Sequence, residues 1–168
     1  KIFTCTKYNE PNAHSAIKLL KHYGNNDAAK LFAKLLSDVL SEELSTMRIW
    51  NPKDIGIIFI PTTKKRIRER GFSPLEKVCK FLPEELRSLV IPDILIQTKN
   101  IPMQKTLSRK ERFRNVKGIF HVTNQSELKD KHLIIIDDVT TTGATLSEAV
   151  KTLAKSGATV TAMALARA

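Results

Sequence analysis

The sequence predicts an α/β fold on a mostly parallel sheet, and three observations carry that expectation. Residues 133–136, Leu-Ile-Ile-Ile, form an unbroken apolar run, as in a strand buried on both faces. A helical pattern follows directly: Leu146, Ala149, Val150, Leu153 and Ala154 share one face, and Gly157 stands where a helix C-cap glycine belongs. Residues 158–166, small and β-branched, then read as a last strand.

From the start of the chain, residues 1–9 are mixed and expected to be extended. Residues 11–23 read as a helix with Ala13, Ala16, Ile17 and Leu20 on one face, stopped by Gly24. Asn25, Asn26 and Asp27 supply a turn and an N-cap. A longer helix follows, with Ala28, Leu31, Phe32, Leu35, Leu36, Val39 and Leu40 at helical spacing. These two helices are expected to cover the sheet or cap the site. Residues 57–60 form the first strong strand, closed by Pro61.

After a loop comes a basic run, Lys64, Lys65, Arg66, Arg68 and Arg70, with only Glu69 opposing. Gly71, Phe72 and Ser73 turn the chain into the next helix. Ser73 with Glu76 makes a capping box, Pro74 suits the first helical position, and Leu75, Val78, Cys79 and Leu82 form the buried face. Residues 83–85 interrupt it, and 94–96 are a second, shorter strand. Ser108 and Glu111 make another capping box, with Arg109 and Arg112 on one side of a short helix. Residues 117–122 suggest a strand and 124–131 a polar loop. No repeat or low-complexity linker appears, so residues 1–168 are expected to form a single domain.

The net charge of +11 and pI near 9.8 favour a polyanionic partner. No apolar run approaches the ~20 residues of a membrane span. Cys5 and Cys79 form no CxxC pair, which leaves no case for zinc and fits a reducing cytoplasm. His14, His22, His121 and His132 are scattered without metal-ligand spacing. The chain opens on Lys1 rather than Met, so a preceding segment is expected.

The chemistry concentrates at 137–145, Asp-Asp-Val-Thr-Thr-Thr-Gly-Ala-Thr. Ligands of open parallel sheets bind beyond the carboxyl ends of strands. Unpaired N–H groups at a helix start suit a phosphate, Gly143 permits the tight turn, and the threonine hydroxyls add donors. Asp137 and Asp138 can accept hydrogen bonds from sugar hydroxyls or hold Mg2+, directly or through water. A sugar phosphate with vicinal hydroxyls fits both halves.

This stretch resembles the phosphoribosyl pyrophosphate (PRPP) motif of type I phosphoribosyltransferases. The resemblance implies that Asp137 and Asp138 bind the ribose hydroxyls, that Thr141, Thr142, Gly143, Ala144 and Thr145 wrap the 5′-phosphate, and that Thr140 belongs to the same PRPP-binding stretch. It implies the type I fold, a mostly parallel doubly wound sheet with a helical cap. Three further features occur in order: Lys-His-Tyr-Gly-Asn at 21–25, Arg-Gly-Phe at 70–72, and Gln104 to Asn115 with the spacing Q-x-x-L-S-R-x-x-R-x-x-N. Together the four motifs resemble the ComF (ComFC) family, phosphoribosyltransferase-like proteins tied to DNA uptake in natural transformation. Two departures stand out. Ser73 replaces the usual Asn, and the family's cysteine-rich zinc ribbon is absent, implying that it lay before Lys1.

The resemblance implies PRPP as ligand and Mg2+ as cofactor, with Asp137 and Asp138 as metal candidates. The candidates for pyrophosphate are Thr62, Thr63, Lys64, Arg70, Lys105 and Arg109. For single-stranded DNA they are Lys64, Lys65, Arg66, Arg68, Arg109 and Arg112, with Phe72 and Phe113 as stacking partners or, by burial tendency, core residues. The DNA-uptake machinery is a further expected partner. Some family members place an acid where Thr141 stands, and threonine is a poor base, so no catalytic base or acceptor is identified. The alternative is a small-molecule phosphoribosyltransferase acting on a nucleobase or related acceptor.

Overall fold

A computed structural model describes residues 2–46, 51–99 and 107–168. Its strands are β1 (Ile2–Lys7), β2 (Ile55–Phe59), β3 (Leu95–Gln97), β4 (Phe120–Val122), β5 (His132–Thr140) and β6 (Thr159–Arg167). Its α-helices are α1 (Pro11–Lys18), α2 (Asn26–Thr46), α3 (Lys64–Arg70), α4 (Pro74–Lys80), α5 (Glu84–Arg87), α6 (Arg109–Asn115) and α7 (Ala144–Ala154). The main sheet is parallel, in the order β1-β6-β5-β2. In its centre Ile136 stands between Phe59 and Met163. Leu133, Ile134, Ile135 and Ile136 are wholly buried, which requires cover on both faces. α2 lies against β1 and β6 and packs on α4, while α7 lies against β5 and β6.

The expected helix at 11–23 forms, but its end is a π turn, Leu19–Tyr23, stopped by Gly24 in the left-handed region (φ 56°). Asn25 caps the next helix, its Oδ1 accepting the Ala28 N–H at 2.9 Å. Phe32, Leu36 and Leu40 of α2 are buried in the core. The capping box at Ser108 and Glu111 is complete, both reciprocal hydrogen bonds being present. Ser73 accepts the Glu76 N–H at 3.5 Å and shares a 3.1 Å hydrogen bond with Thr62 Oγ1.

The start of the chain is extended as expected, and residues 2–7 form a strand of the main sheet, paired along β6. Other expectations are completed or corrected. The basic run is helical: Thr63 caps α3 through the Arg66 N–H at 3.3 Å, and Gly71 ends it at φ 80°. The short strand at 94–96, observed as β3, lies outside the parallel sheet and pairs antiparallel with β4. The strand expected from 117 begins only at Phe120, because Gly118 turns the chain at φ 68°. Cys79 is half-buried rather than sealed in the core. Among the described residues no helix is long and apolar enough to cross a membrane.

Candidate functional site

β5 outlasts its apolar segment. Asp137, Asp138, Val139 and Thr140 continue the strand, with Asp137 opposite Ala164 and Thr140 opposite Arg167. The acidic pair therefore sits at the carboxyl end of a central strand. Asp137 Oδ1 accepts the Asp138 N–H at 2.8 Å, and Asp138 Oδ1 accepts the Val139 N–H at 2.6 Å. Lys21, from the π turn, brings its Nζ to 3.0 Å from Asp138 Oδ1. Burial, reinforced by the charge of Asp138, pushes the Asp137 carboxyl up to about 7, against a smaller opposing pull from Lys21.

The chain then turns through residues 141–143 into α7. Gly143 takes φ 77°, a backbone that favours glycine, and a Cβ there would also push on the tip of Ile2, 2.8 Å away at Cδ1. Its carbonyl accepts the Ser147 N–H at 2.8 Å, while Thr142 Oγ1 accepts the Ala144 N–H at 3.4 Å. Two bonds tie α6 and the turn that follows it to this region. Arg112 Nη1 on α6 donates to Thr141 Oγ1 at 2.9 Å, and Glu148 on α7 accepts the Gly118 N–H at 2.6 Å.

A cleft of about 490 Å³ opens over the acidic pair. Lys21, Asp137, Asp138 and Thr145 form one side. Thr63, Lys65, Arg66 and Glu69 come from α3 and its N-cap, Gln97 from the end of β3, and Val116 and Ile119 from the turn between α6 and β4. The candidate residues distribute unevenly around it. Asp137, Asp138, Thr145 and Thr63 line the cleft. Thr140 is buried in β5, Gly143 and Ala144 are buried in the turn, and Thr141 is exposed beneath Arg112. Thr62 and Lys64 line a neighbouring cavity of about 610 Å³ instead. Arg70 is half-buried at the far end of α3, and Arg109 is exposed on α6. Lys105 and Gln104 lie outside the described residues.

Of the cations assigned to DNA from sequence, Lys65 and Arg66 face the cleft and Arg112 sits on the loop. Lys64 and Arg68 are exposed on α3. Phe113 is exposed, whereas Phe72 packs under Gly24 with the Lys77 ammonium 5.5 Å from its ring centroid. The sequence reading missed Lys21. It stood in a noted motif, but its pairing with Asp138 spans two elements far apart in the chain.

Chemically, the arrangement offers two carboxylates for a vicinal diol beside a turn and helix start suited to an anion. Among the described residues no group of three or more His, Cys, Asp or Glu side chains could hold a metal ion. The acidic pair still suits Mg2+, which binds through one or two carboxylates together with the phosphates of its ligand.

Residues 70–168 match the phosphoribosyl transferase domain family. The chain is 32% identical over 102 residues to the DNA utilization protein YhgH of Escherichia coli O157:H7, covering 61% of this chain and 44% of that protein. It is 31% identical over 131 residues to the protein of the same name from Salmonella typhi, covering 78% and 56%. It is 29% identical over 129 residues to Competence protein F of Haemophilus influenzae, covering 76% and 56%. The chain thus spans about half the length of the curated relatives it matches.

Proposed function

This chain belongs to the phosphoribosyl transferase domain family, in its ComF-like branch, and from that premise we propose that it binds PRPP with Mg2+ and acts on single-stranded DNA as a competence-associated protein of the cytoplasm. The observation that carries the reading is the end of β5, where two carboxylates, a glycine turn and a helix start follow in consecutive residues. The 5′-phosphate meets the turn at 141–145 and its hydroxyls. The ribose hydroxyls donate to Asp137 and Asp138. The pyrophosphate faces Thr63, Lys65 and Arg66 across the cleft.

Mg2+, when bound through Asp137, Asp138 and the ligand's phosphates, supplies charge neutralisation for the pyrophosphate. In phosphoribosyl transfer a nucleophile attacks C1 as pyrophosphate leaves, through a transition state with oxocarbenium character. The chain's own contribution is to hold the ribose between fixed carboxylates and to present cations to the departing charge. The names of the relatives, DNA utilization and competence, support the DNA half of the proposal and the uptake machinery as partner. The exposed Lys64 and Arg68 on α3 and Arg109 on α6 supply cations for a DNA backbone.

A second reading, transfer to a small nucleobase-like acceptor, is favoured by the cleft's other wall. Gln97, Val116 and Ile119 give apolar surface and an amide opposite the acidic pair, as a flat heterocycle requires. Calorimetry with Mg-PRPP tests the shared site. Asp138→Ala is expected to abolish binding with melting unchanged, and undiminished binding removes the motif from the argument. Pyrophosphate release, assayed with single-stranded DNA and with a panel of bases, then separates the readings. Release that needs a base favours the second, and release that needs DNA favours the first.

A further inference from the structure

Lys21 reaches the acidic pair from outside the strand and loop that carry it. Its Nζ stands 3.0 Å from Asp138 Oδ1, with side-chain exposures of 24% and 21%, so the pair is partly shielded yet open to the cleft that both residues line. The backbone beneath it is tightly determined. Lys21 lies within the π turn, and such turns, mostly single-turn bulges, are frequent at functional sites. Gly24 closes the turn against Phe72, where a Cβ would come within 2.9 Å of Cζ. Lys77 Nζ donates to the Gly24 carbonyl and, at 3.0 Å, to Asn26 Oδ1. A fixed turn thus presents a long, flexible ammonium stem to the cleft.

The position explains more than charge balance. Asp138 Oδ1 already accepts the Val139 N–H, so the carboxylate is oriented without help from Lys21. Once ribose hydroxyls donate to the pair, the ammonium competes with them for Asp138. Across the same cleft stand Thr63, Lys65 and Arg66, and Lys65 is itself only loosely engaged, 3.9 Å from Glu69. A diphosphate lying between these walls offers an ammonium more negative charge than one carboxylate does.

We propose that Lys21, paired with Asp138 at the cleft, is a ligand-binding cation that transfers from that carboxylate to the pyrophosphate group of a bound sugar diphosphate. The inference rests on the sugar-phosphate reading of the cleft. It adds, beside Thr63 and the cations Lys65 and Arg66, a further cation that distinguishes a ribose 5-phosphate carrying a 1-pyrophosphate from one that does not.

The test is calorimetry with two probes, PRPP and ribose 5-phosphate, both with Mg2+. Lys21→Met is expected to weaken PRPP by about tenfold or more while ribose 5-phosphate stays within about threefold. Lys21→Arg is expected to restore most of the PRPP affinity. Equal loss for both ligands would reduce Lys21 to a support for Asp138 and overturn the proposal, as would no loss for either. If Lys21→Met melts early, Lys21→Gln, which keeps a donor for Asp138, carries the same comparison. Failure of the unaltered chain to bind either probe would instead remove the sugar-phosphate reading itself, and this inference with it.

Discussion

Replacing Asp137 by asparagine removes a carboxyl that the fold holds near neutral pH. Burial is the main cause of its rise to about 7, and the charge of Asp138 adds to it. An aspartate in the unfolded chain titrates near ~3.9. Between those values the folded chain keeps a proton that the unfolded chain has lost. Stability therefore falls as pH rises from about 4 to about 7, and stays at the lower level above that. At ~1.36 kcal/mol per pH unit the ceiling is roughly 4 kcal/mol. The Asp137 side chain keeps some solvent contact, so screening reduces the expected contribution below that ceiling, to about 1–2 kcal/mol. Asparagine retains the Oδ1 acceptor and carries no charge. Urea unfolding followed by circular dichroism at pH 5, 6, 7 and 8 is the assay. Asp137→Asn is expected to exceed the parent chain by about 1–2 kcal/mol at pH 8, with the gap narrowing towards pH 5. A gap constant across this range, or a variant less stable at pH 8, would refute the argument.

Gly143→Ala tests the turn. Left-handed backbone costs alanine roughly 1–2 kcal/mol, and its Cβ meets Ile2 Cδ1 at 2.8 Å, so chemical denaturation should show a loss of at least that size. The double variant with Ile2→Ala should recover only the steric part, and an unchanged midpoint would mean the turn relaxes freely. Neutralising Lys64, Lys65 and Arg68 together should lower the log–log salt slope of single-stranded DNA binding by about 2, at roughly 0.7 per phosphate contact. An unchanged slope would remove α3 as the DNA surface.

What was legible in the sequence follows from how local each signal is. The body of β5, the glycine turn and α7 were read correctly because apolar run, acidic pair, glycine and helical period occupy one continuous stretch, whereas the strand runs on to Thr140 instead of ending with the apolar run at Ile136. The capping box at Ser108 and Glu111 was equally local. β1 was not assigned because its residues are only half-buried, and their strand character comes from pairing with β6 at the other end of the chain. α3 has a single large apolar residue, Ile67, so no helical period shows. Its caps, Thr63 and Gly71, were the available signal. The placement of Lys65 and Arg66 in the cleft could not be read from a charge run. Only the helical period, once known, separates residues 65, 66 and 69 from 64 and 68.

That separation bears on whether one protein can hold PRPP and DNA together. α3 presents Lys65 and Arg66 to the cleft, while Lys64 and Arg68, four apart, share another face. A pyrophosphate in the cleft and a DNA phosphate on the outer face would stand on two sides of one short helix. A helix with its side chains is about 10–12 Å across, close to the Debye length of ~8 Å at physiological salt. Two anions so placed repel measurably, and they compete for Lys65, whose flexible stem serves either side. Linkage makes the effect reciprocal: saturating PRPP should weaken single-stranded DNA, and DNA should weaken PRPP by the same factor. Lowering the salt should enlarge that factor. Fully independent binding at low salt would place the DNA away from α3 and leave its cations to the cleft.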